Sequence, residues 1–242
     1  MMVKPASSKI WGIGGRTPRP VAAVYSDDFT GPADGDDTAA VSMMLTSAAA
    51  WHFDVITVGP NGIMSVPEAL ARPEVQLYAQ PGADGNDDAA YRRQKRDKSA
   101  IKQFVRDGGR YLGICMGGFL AEPGHFNVFP GRVDEYYSSR GASVTTADPA
   151  IIQVIWRGVT RPMYFQDGGY MVPKRKATGI TVLARYTNGT IAALVSRYGQ
   201  GKVGLCGPHP EAPPQWYREG KLPYGGSTQD LGDDLIDTLM AP

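Results

Sequence analysis

The segment Gly108-Gly109-Arg110-Tyr111-Leu112-Gly113-Ile114-Cys115-Met116-Gly117-Gly118 constrains this chain more than any other. An apolar run ends in a cysteine that has a glycine two positions away on each side, the G-x-C-x-G form of a nucleophile elbow. A sharp strand-to-helix turn forces the central residue into a strained backbone conformation. It also folds the chain so close upon itself that the flanking positions must be small. The turn lifts the Cys115 sulfur above a sheet at a helix N-terminus and aims the Met116 N–H at an incoming carbonyl oxygen. One short stretch therefore supplies a β-to-α connection, a candidate nucleophile and a candidate oxyanion donor.

The surrounding pattern extends that connection into an α/β fold. Val21 to Tyr25 reads as a buried strand, Asp36 to about Trp51 as a helix with an acidic first turn, and Asp54 to Gly59 as the next strand. Val75 to Gln80 stops at Pro81-Gly82, and a helix over roughly Asp88 to Asp107 ends at Gly108-Gly109. Alternation of this kind predicts a mostly parallel sheet with helices on both faces, and ligands beyond the carboxyl ends of its strands. Loop tips near Asp27, Gly82 and Cys115 should converge there. Beyond Pro123 the pattern becomes a β-rich half, with strands expected at Phe126 to Phe129, Ile151 to Trp156, Met163 to Phe165, Ile180 to Tyr186, Thr190 to Arg197 and Lys202 to Cys206. Asn188-Gly189 signals a hairpin, and a last helix is expected over Asp230 to Met240. Residues 1–20 read as a polar leader and residues 21–242 as one domain.

Composition removes several function classes. With 25 Lys and Arg against 24 Asp and Glu, there is no electrostatic case for a nucleic-acid or acidic-membrane partner. The most apolar stretch, Ala39 to Phe53, is too short and too polar to cross a bilayer. Two cysteines build no disulfide framework, although a single Cys115–Cys206 bridge stays formally open, and their scarcity predicts a cytoplasmic protein.

A thiol nucleophile needs a base, and the chain holds only His52, His125 and His209. His209 lies in Gly207-Pro208-His209-Pro210-Glu211, directly after an apolar strand, where Glu211 can orient its imidazole. A Cys115-His209-Glu211 triad follows, with His52, His125 and Cys206 read as structural. The acidic group Asp27, Asp28, Asp34, Asp36 and Asp37 lacks the alternate spacing of a calcium loop and reads as a solvated loop leading into a helix. Neither a metal nor a cofactor is assigned. The basic run Arg92, Arg93, Lys95, Arg96 and Lys98 reads as a solvated helix face. Trp216 and Tyr217, closely following Glu211, are placed at a pocket rim.

With these residues in hand, the chain resembles the family of the biotin-protein ligase N-terminal domain, within the class I glutamine amidotransferase-like superfamily. The resemblance rests on the elbow and the Gly-Pro-His-Pro-Glu segment, with Val24-Tyr25-Ser26, Gln80-Pro81-Gly82-Ala83-Asp84, Phe129-Pro130-Gly131 and Leu183-Ala184-Arg185-Tyr186 in order between and around them. It implies a flavodoxin-like sheet, Cys115 as nucleophile, His209 as base, Glu211 as orienter, and backbone amides around Gly82 completing an oxyanion hole with Met116. Gly118-Phe119 stands where glutaminases of the superfamily place His-Gln, which argues against glutamine as substrate. Ala83 stands where relatives carry a second glycine, and alanine resists positive φ.

The expected activity is thiolate attack on an amide or related carbonyl of a small molecule, with a synthase or ligase as partner protein if the chain is half of an amidotransferase. Two alternatives stay open: a regulatory or ligand-binding module that performs no reaction, and a peptidase-like or deglycase-like hydrolase using the same triad. No residue is assigned to substrate binding from the sequence.

Overall fold

A computed structural model describes residues 19–31 and 36–242, so most of the polar leader and Asp34 lie outside the described residues. The N-terminal half forms strands β1 (Val21–Tyr25), β2 (Asp54–Val58), β3 (Val75–Gln80) and β4 (Arg110–Ile114). Between them come helices α1 (Asp37–Ser47), α2 (Val66–Leu70), α3 (Asp87–Gln94) and α4 (Lys98–Arg106), and α5 (Met116–Leu120) follows β4. The second half adds β5 (Gly131–Glu135), β6 (Ala150–Trp156), β7 (Val159–Phe165), β8 (Gly169–Pro173), β9 (Ile180–Tyr186), β10 (Ile191–Tyr198) and β11 (Gly201–Cys206). It closes with α6 (Pro214–Glu219) and α7 (Gln229–Met240).

All eleven strands belong to one sheet, whose main path runs β2-β1-β3-β4-β11-β10-β9-β6-β7. The first five strands of that path are parallel, and their order is the doubly wound flavodoxin-like one. From β11 onward every pairing is antiparallel, including β5 with β8 and the single β8–β10 contact. The expected mostly parallel sheet is therefore corrected to a parallel half joined to an antiparallel half along β11. Short turns explain the change: Arg157 and Gly158 link β6 to β7 with both φ angles positive, and a four-residue connection with Gly189 at positive φ links β9 to β10. Turns this short return a strand beside itself, whereas parallel pairing needs a long crossover.

Burial on both faces is written into the strands of the parallel half. Ala22 and Val24 face one core with Leu77, Ala79, Leu112 and Ile114, where α1 and α7 contribute Val41, Leu45, Leu235 and Leu239. Ala23 and Tyr25 face the other with Tyr78 and Tyr111, covered by Val66 and Ala69 of α2 and Ile101 and Val105 of α4. The four-residue spacing of Leu231, Leu235 and Leu239 gives α7 its apolar stripe. α1 begins where the Asp36 carboxylate accepts a hydrogen bond from the Ala39 N–H at 2.8 Å.

Several local expectations need revision. Phe126 to Phe129 is buried loop rather than strand, because its amides fold back onto Leu120, Ala121 and Glu122. The helix expected over Asp88 to Asp107 is broken near Lys95 into α3 and α4. Strand β8 and helix α6 carried too weak a period to be read. Both cysteines are free and buried.

Candidate active site

Parallel pairing of β4 with β11 sets Ile114 beside Cys206, so the residues that follow both strands emerge at the same end of the sheet. Cys115 comes next on β4, and its N–H donates to the Cys206 carbonyl at 2.9 Å. Three residues past β11 stands His209, whose N–H donates to the Tyr164 carbonyl at 3.0 Å. The chain thus brings two distant residues together through adjacent strands.

Cys115 has φ 49° and ψ −109°, a conformation costing on the order of 1–3 kcal/mol for a residue with a side chain. Close approach accounts for the flanking glycines. A Cβ on Gly113 would run into the Gly117 carbonyl, and one on Gly117 into the Gln80 carbonyl. The buried Tyr111 hydroxyl donates to that Gly117 carbonyl at 2.7 Å, pinning the turn from below. Gly118 is different: a Cβ there would meet only side-chain carbons at 3.9 and 4.0 Å.

His209 Nδ1 and Glu211 Oε1 lie 2.8 Å apart, both side chains almost wholly buried. Burial disfavours the imidazolium, but the Glu211 carboxylate and then the adjacent Cys115 outweigh it and hold the imidazole pKa well above its ordinary value. The ring is clamped edge-on by Tyr164 and Trp216, at centroid distances of 5.8 and 5.3 Å. The Cys115 thiol itself donates to the carbonyl oxygens of Gln166, at 3.5 Å, and Asp167, at 3.8 Å. His209 Nε2 has no hydrogen-bond partner among the described residues. Sulfur and imidazole are thus neighbours, close enough for Cys115 to raise the imidazole pKa.

A cleft of about 490 Å³ opens over these groups, lined by Cys115, Met116, Gly82 and His209 and walled by Phe119, Tyr164 and Trp216. Neither the Met116 nor the Gly82 N–H has a partner among the described residues. Ala83 does not adopt positive φ, so the glycine missing there is not needed for the backbone path. Gly82 is required for space: a Cβ would collide with the Asp37 carboxylate and come within 3.4 Å of His209 Cε1. A larger cavity of about 620 Å³ sits at the opposite end of the strands, near Arg72 and Arg110, and no cysteine or histidine lines it.

Asp37 is the site residue that sequence reasoning missed. It opens α1, is partly buried, and has a pKa raised to about 7, by burial first and by Glu211 among its neighbours, with His209 opposing. Asp37, His209 and Glu211 each offer an atom within 4.8 Å of the others, a spacing that could hold a cation. Nδ1 and Oε1 satisfy each other there, so the trio reads as a coupled acid–base cluster. Nothing in the local sequence separates Asp37 from Asp36, which caps the helix instead.

Other expected residues divide cleanly. Asp27 is buried, accepting from the Tyr25 hydroxyl, the Phe29 and Thr30 amides and Arg93 Nε, so it staples its loop. Arg93 therefore departs from a solvated face, also covering the Phe29 ring at 3.8 Å. His125 is buried against Tyr91 with Nδ1 3.1 Å from the Phe119 carbonyl oxygen, away from Cys115. His52 is exposed, and Cys206 is fully buried in β11.

The parallel five-strand core with its elbow at the carboxyl edge defines a class I glutamine amidotransferase-like fold. Among solved structures, a glutamine amidotransferase of Thermotoga maritima superposes with a TM-score of 0.56 at 16% identity, over 94% of this chain and all (100%) of that one. A cytoplasmic protein of Salmonella typhimurium LT2 gives 0.53 at 15% identity, over 91% of this chain and 99% of its own. The GH42 β-galactosidase Gan42B of G. stearothermophilus also gives 0.53 at 13% identity, but the match spans 94% of this chain and only 30% of that enzyme. The family model for "Biotin-protein ligase, N terminal" matches residues 29–128 and 123–237, and the chain belongs to that family. An uncharacterized protein of Chlamydia muridarum (strain MoPn / Nigg) is 28% identical over 192 residues, 69% of this chain and 73% of the relative. Among the described residues, no helix is long and apolar enough to cross a membrane.

Proposed function

We propose that the protein is a cysteine-dependent hydrolase or amidotransferase-like enzyme acting on an amide or related carbonyl compound. The carrying observation is the placement of a strained Cys115 and the Glu211-paired His209 at the ends of adjacent parallel strands. In this reading His209 Nε2 takes the Cys115 proton and the sulfur attacks the carbonyl carbon. The Met116 and Gly82 N–H groups receive the oxyanion. Collapse expels the amine with the proton from His209, leaving a thioester that water hydrolyses with His209 again as base. Glu211 fixes the Nδ1–H tautomer and offsets the imidazolium charge.

In the resting geometry the thiol donates to the Gln166 and Asp167 carbonyls, and turnover requires its proton to pass to His209 Nε2 instead. That resting geometry also favours a second reading, a ligand-binding or regulatory module that keeps the cleft without chemistry. A synthase or ligase is the partner protein the first reading calls for if ammonia is passed on. Free thiols of this kind persist in the cytoplasm, where the activity is placed. The test is turnover of a panel of amides, esters and glutamine by wild type and Cys115→Ala. Hydrolysis that disappears in the folded variant supports the enzyme. Absence of Cys115-dependent turnover, with ligand binding intact in Cys115→Ala, supports the module.

A further inference from the structure

Apart from His209, whose imidazole is paired with Glu211, the charged side chains that line the cleft over Cys115 are carboxylates. Five carboxylates line it, Asp28, Asp37, Asp84, Asp167 and Glu219, and neither a lysine nor an arginine does so among the described residues. The chain as a whole is balanced at 25 cations to 24 anions, so this asymmetry is local. Several acidic groups elsewhere are ion-paired: Asp27 with Arg93, Asp230 with Arg161 and Asp234 with Arg157, at 3.1, 2.6 and 3.0 Å. None of the five lining carboxylates has an ion-pair partner among the described residues.

Three further observations point to a ligand. His209, 3% exposed, lines the cleft with its Nε2 unpartnered. Asp167, whose φ is 52°, lines it too and has a buried Oδ1 without a partner. Tyr164 and Trp216 add aromatic surface, with ring centroids 5.5 Å apart, and aromatic faces attract cations. Unpaired carboxylates in a low-dielectric cleft concentrate cationic solutes and repel anionic ones.

We infer that the substrate of this cleft is a cation, an amide or ester bearing an ammonium or guanidinium group that Asp37 and the rim carboxylates hold while its carbonyl faces Cys115. This rests on Cys115 being the reacting group. Asp37 lies deepest, against Gly82 and His209, and acts as the specificity determinant; Asp28, Asp84 and Glu219 are exposed at the rim. Apart from the imidazole already paired with Glu211, an anionic carboxylate substrate finds no counter-charge here.

The experiment measures modification of Cys115 in the intact chain by three methanethiosulfonates with aminoethyl, methyl and sulfonatoethyl groups. The thiolate sulfur forms a mixed disulfide in each case and methanesulfinate leaves, so only the charge differs. Rates are read by mass spectrometry, normalised to a free thiol, with Cys115→Ser as the blank. At a pH above about 7, where Asp37 is ionised, the cationic reagent is expected to be favoured over the anionic one by about tenfold at low salt, shrinking as salt rises. Asp37→Asn should cut that preference at least about threefold, and the exposed-rim variant Glu219→Gln by less. A normalised ratio near one, or a preference untouched in both variants, overturns the inference. Turnover of a neutral ester separates the two claims: hydrolysis by wild type but not Cys115→Ala supports the hydrolase reading, and no hydrolysis by wild type sinks that reading while leaving the charge preference standing.

Discussion

His209 and Glu211 are joined by a 2.8 Å hydrogen bond across a single intervening proline, with both side chains almost wholly buried. Because Glu211 holds the imidazole pKa high, His209 contributes stability that is full below its unfolded pKa and is lost as pH rises through the raised folded value. Glu211→Gln should therefore lower Tm most in mildly acidic buffer and least in alkaline buffer, and reduce turnover by roughly 10²–10⁴-fold. Thermal melts across pH and titration of the His209 ring by NMR check both.

Asp37 titrates in the opposite sense. Its carboxyl is raised to about 7, so the folded state prefers it protonated, and stability falls as pH climbs from the unfolded value towards about 7. Asp37→Asn should stabilise the protein in neutral and alkaline buffer, with the gain vanishing below the ordinary aspartate pKa. Melting curves of the two proteins over that range give the answer.

The elbow glycines should respond unequally to alanine. Gly113→Ala and Gly117→Ala each drive a Cβ into a carbonyl and are expected to cost about 1–3 kcal/mol. Gly118→Ala meets only ordinary contacts and should fall within about 0.5 kcal/mol of wild type. Denaturant titration compares the three.

Cys115 holds a left-handed φ that glycine adopts without strain. Cys115→Gly is expected to be more stable than Cys115→Ala by about 1 kcal/mol, although both lack the thiol. Equal stability would show that the backbone at this turn stores nothing.

Removing Arg93 should be costly although it comes from a run of surface charges. Arg93→Ala leaves Asp27 buried without its ion pair, and a loss of about 1–3 kcal/mol is expected. The double variant Arg93→Ala, Asp27→Asn should recover part of it, read by unfolding in urea.

What the sequence disclosed followed strong local rules. The Gly-x-Cys-x-Gly spacing described the elbow and the mechanical reason for its glycines, and the position of His209 after β11 placed it at the right end of the sheet. Asn188-Gly189 marked a true hairpin. The partners of Asp37 and Arg93 were not legible, since both depend on which loops the sheet brings together. The extent of the antiparallel half was not legible because strand periodicity is the same in parallel and antiparallel ladders; besides Asn188-Gly189, the turn at Arg157-Gly158 encoded the reversal. At Ala83 a rule about backbone freedom was applied where the real constraint was the volume claimed by Asp37 at Gly82.

The ladder between β4 and β11 has a consequence for how this molecule can vary. Neighbouring strands sit about 4.8 Å apart whatever chain connects them, so the backbones that lead into Cys115 and His209 are spaced by the ladder. Everything from β5 to β10 is an excursion that leaves and rejoins that ruler. Tyr164 carries the carbonyl that holds His209, and the loop after β7 carries those that hold the thiol, so changes in the antiparallel half reach the cleft wall and the reacting groups together, which makes that half the natural place for new specificities to arise.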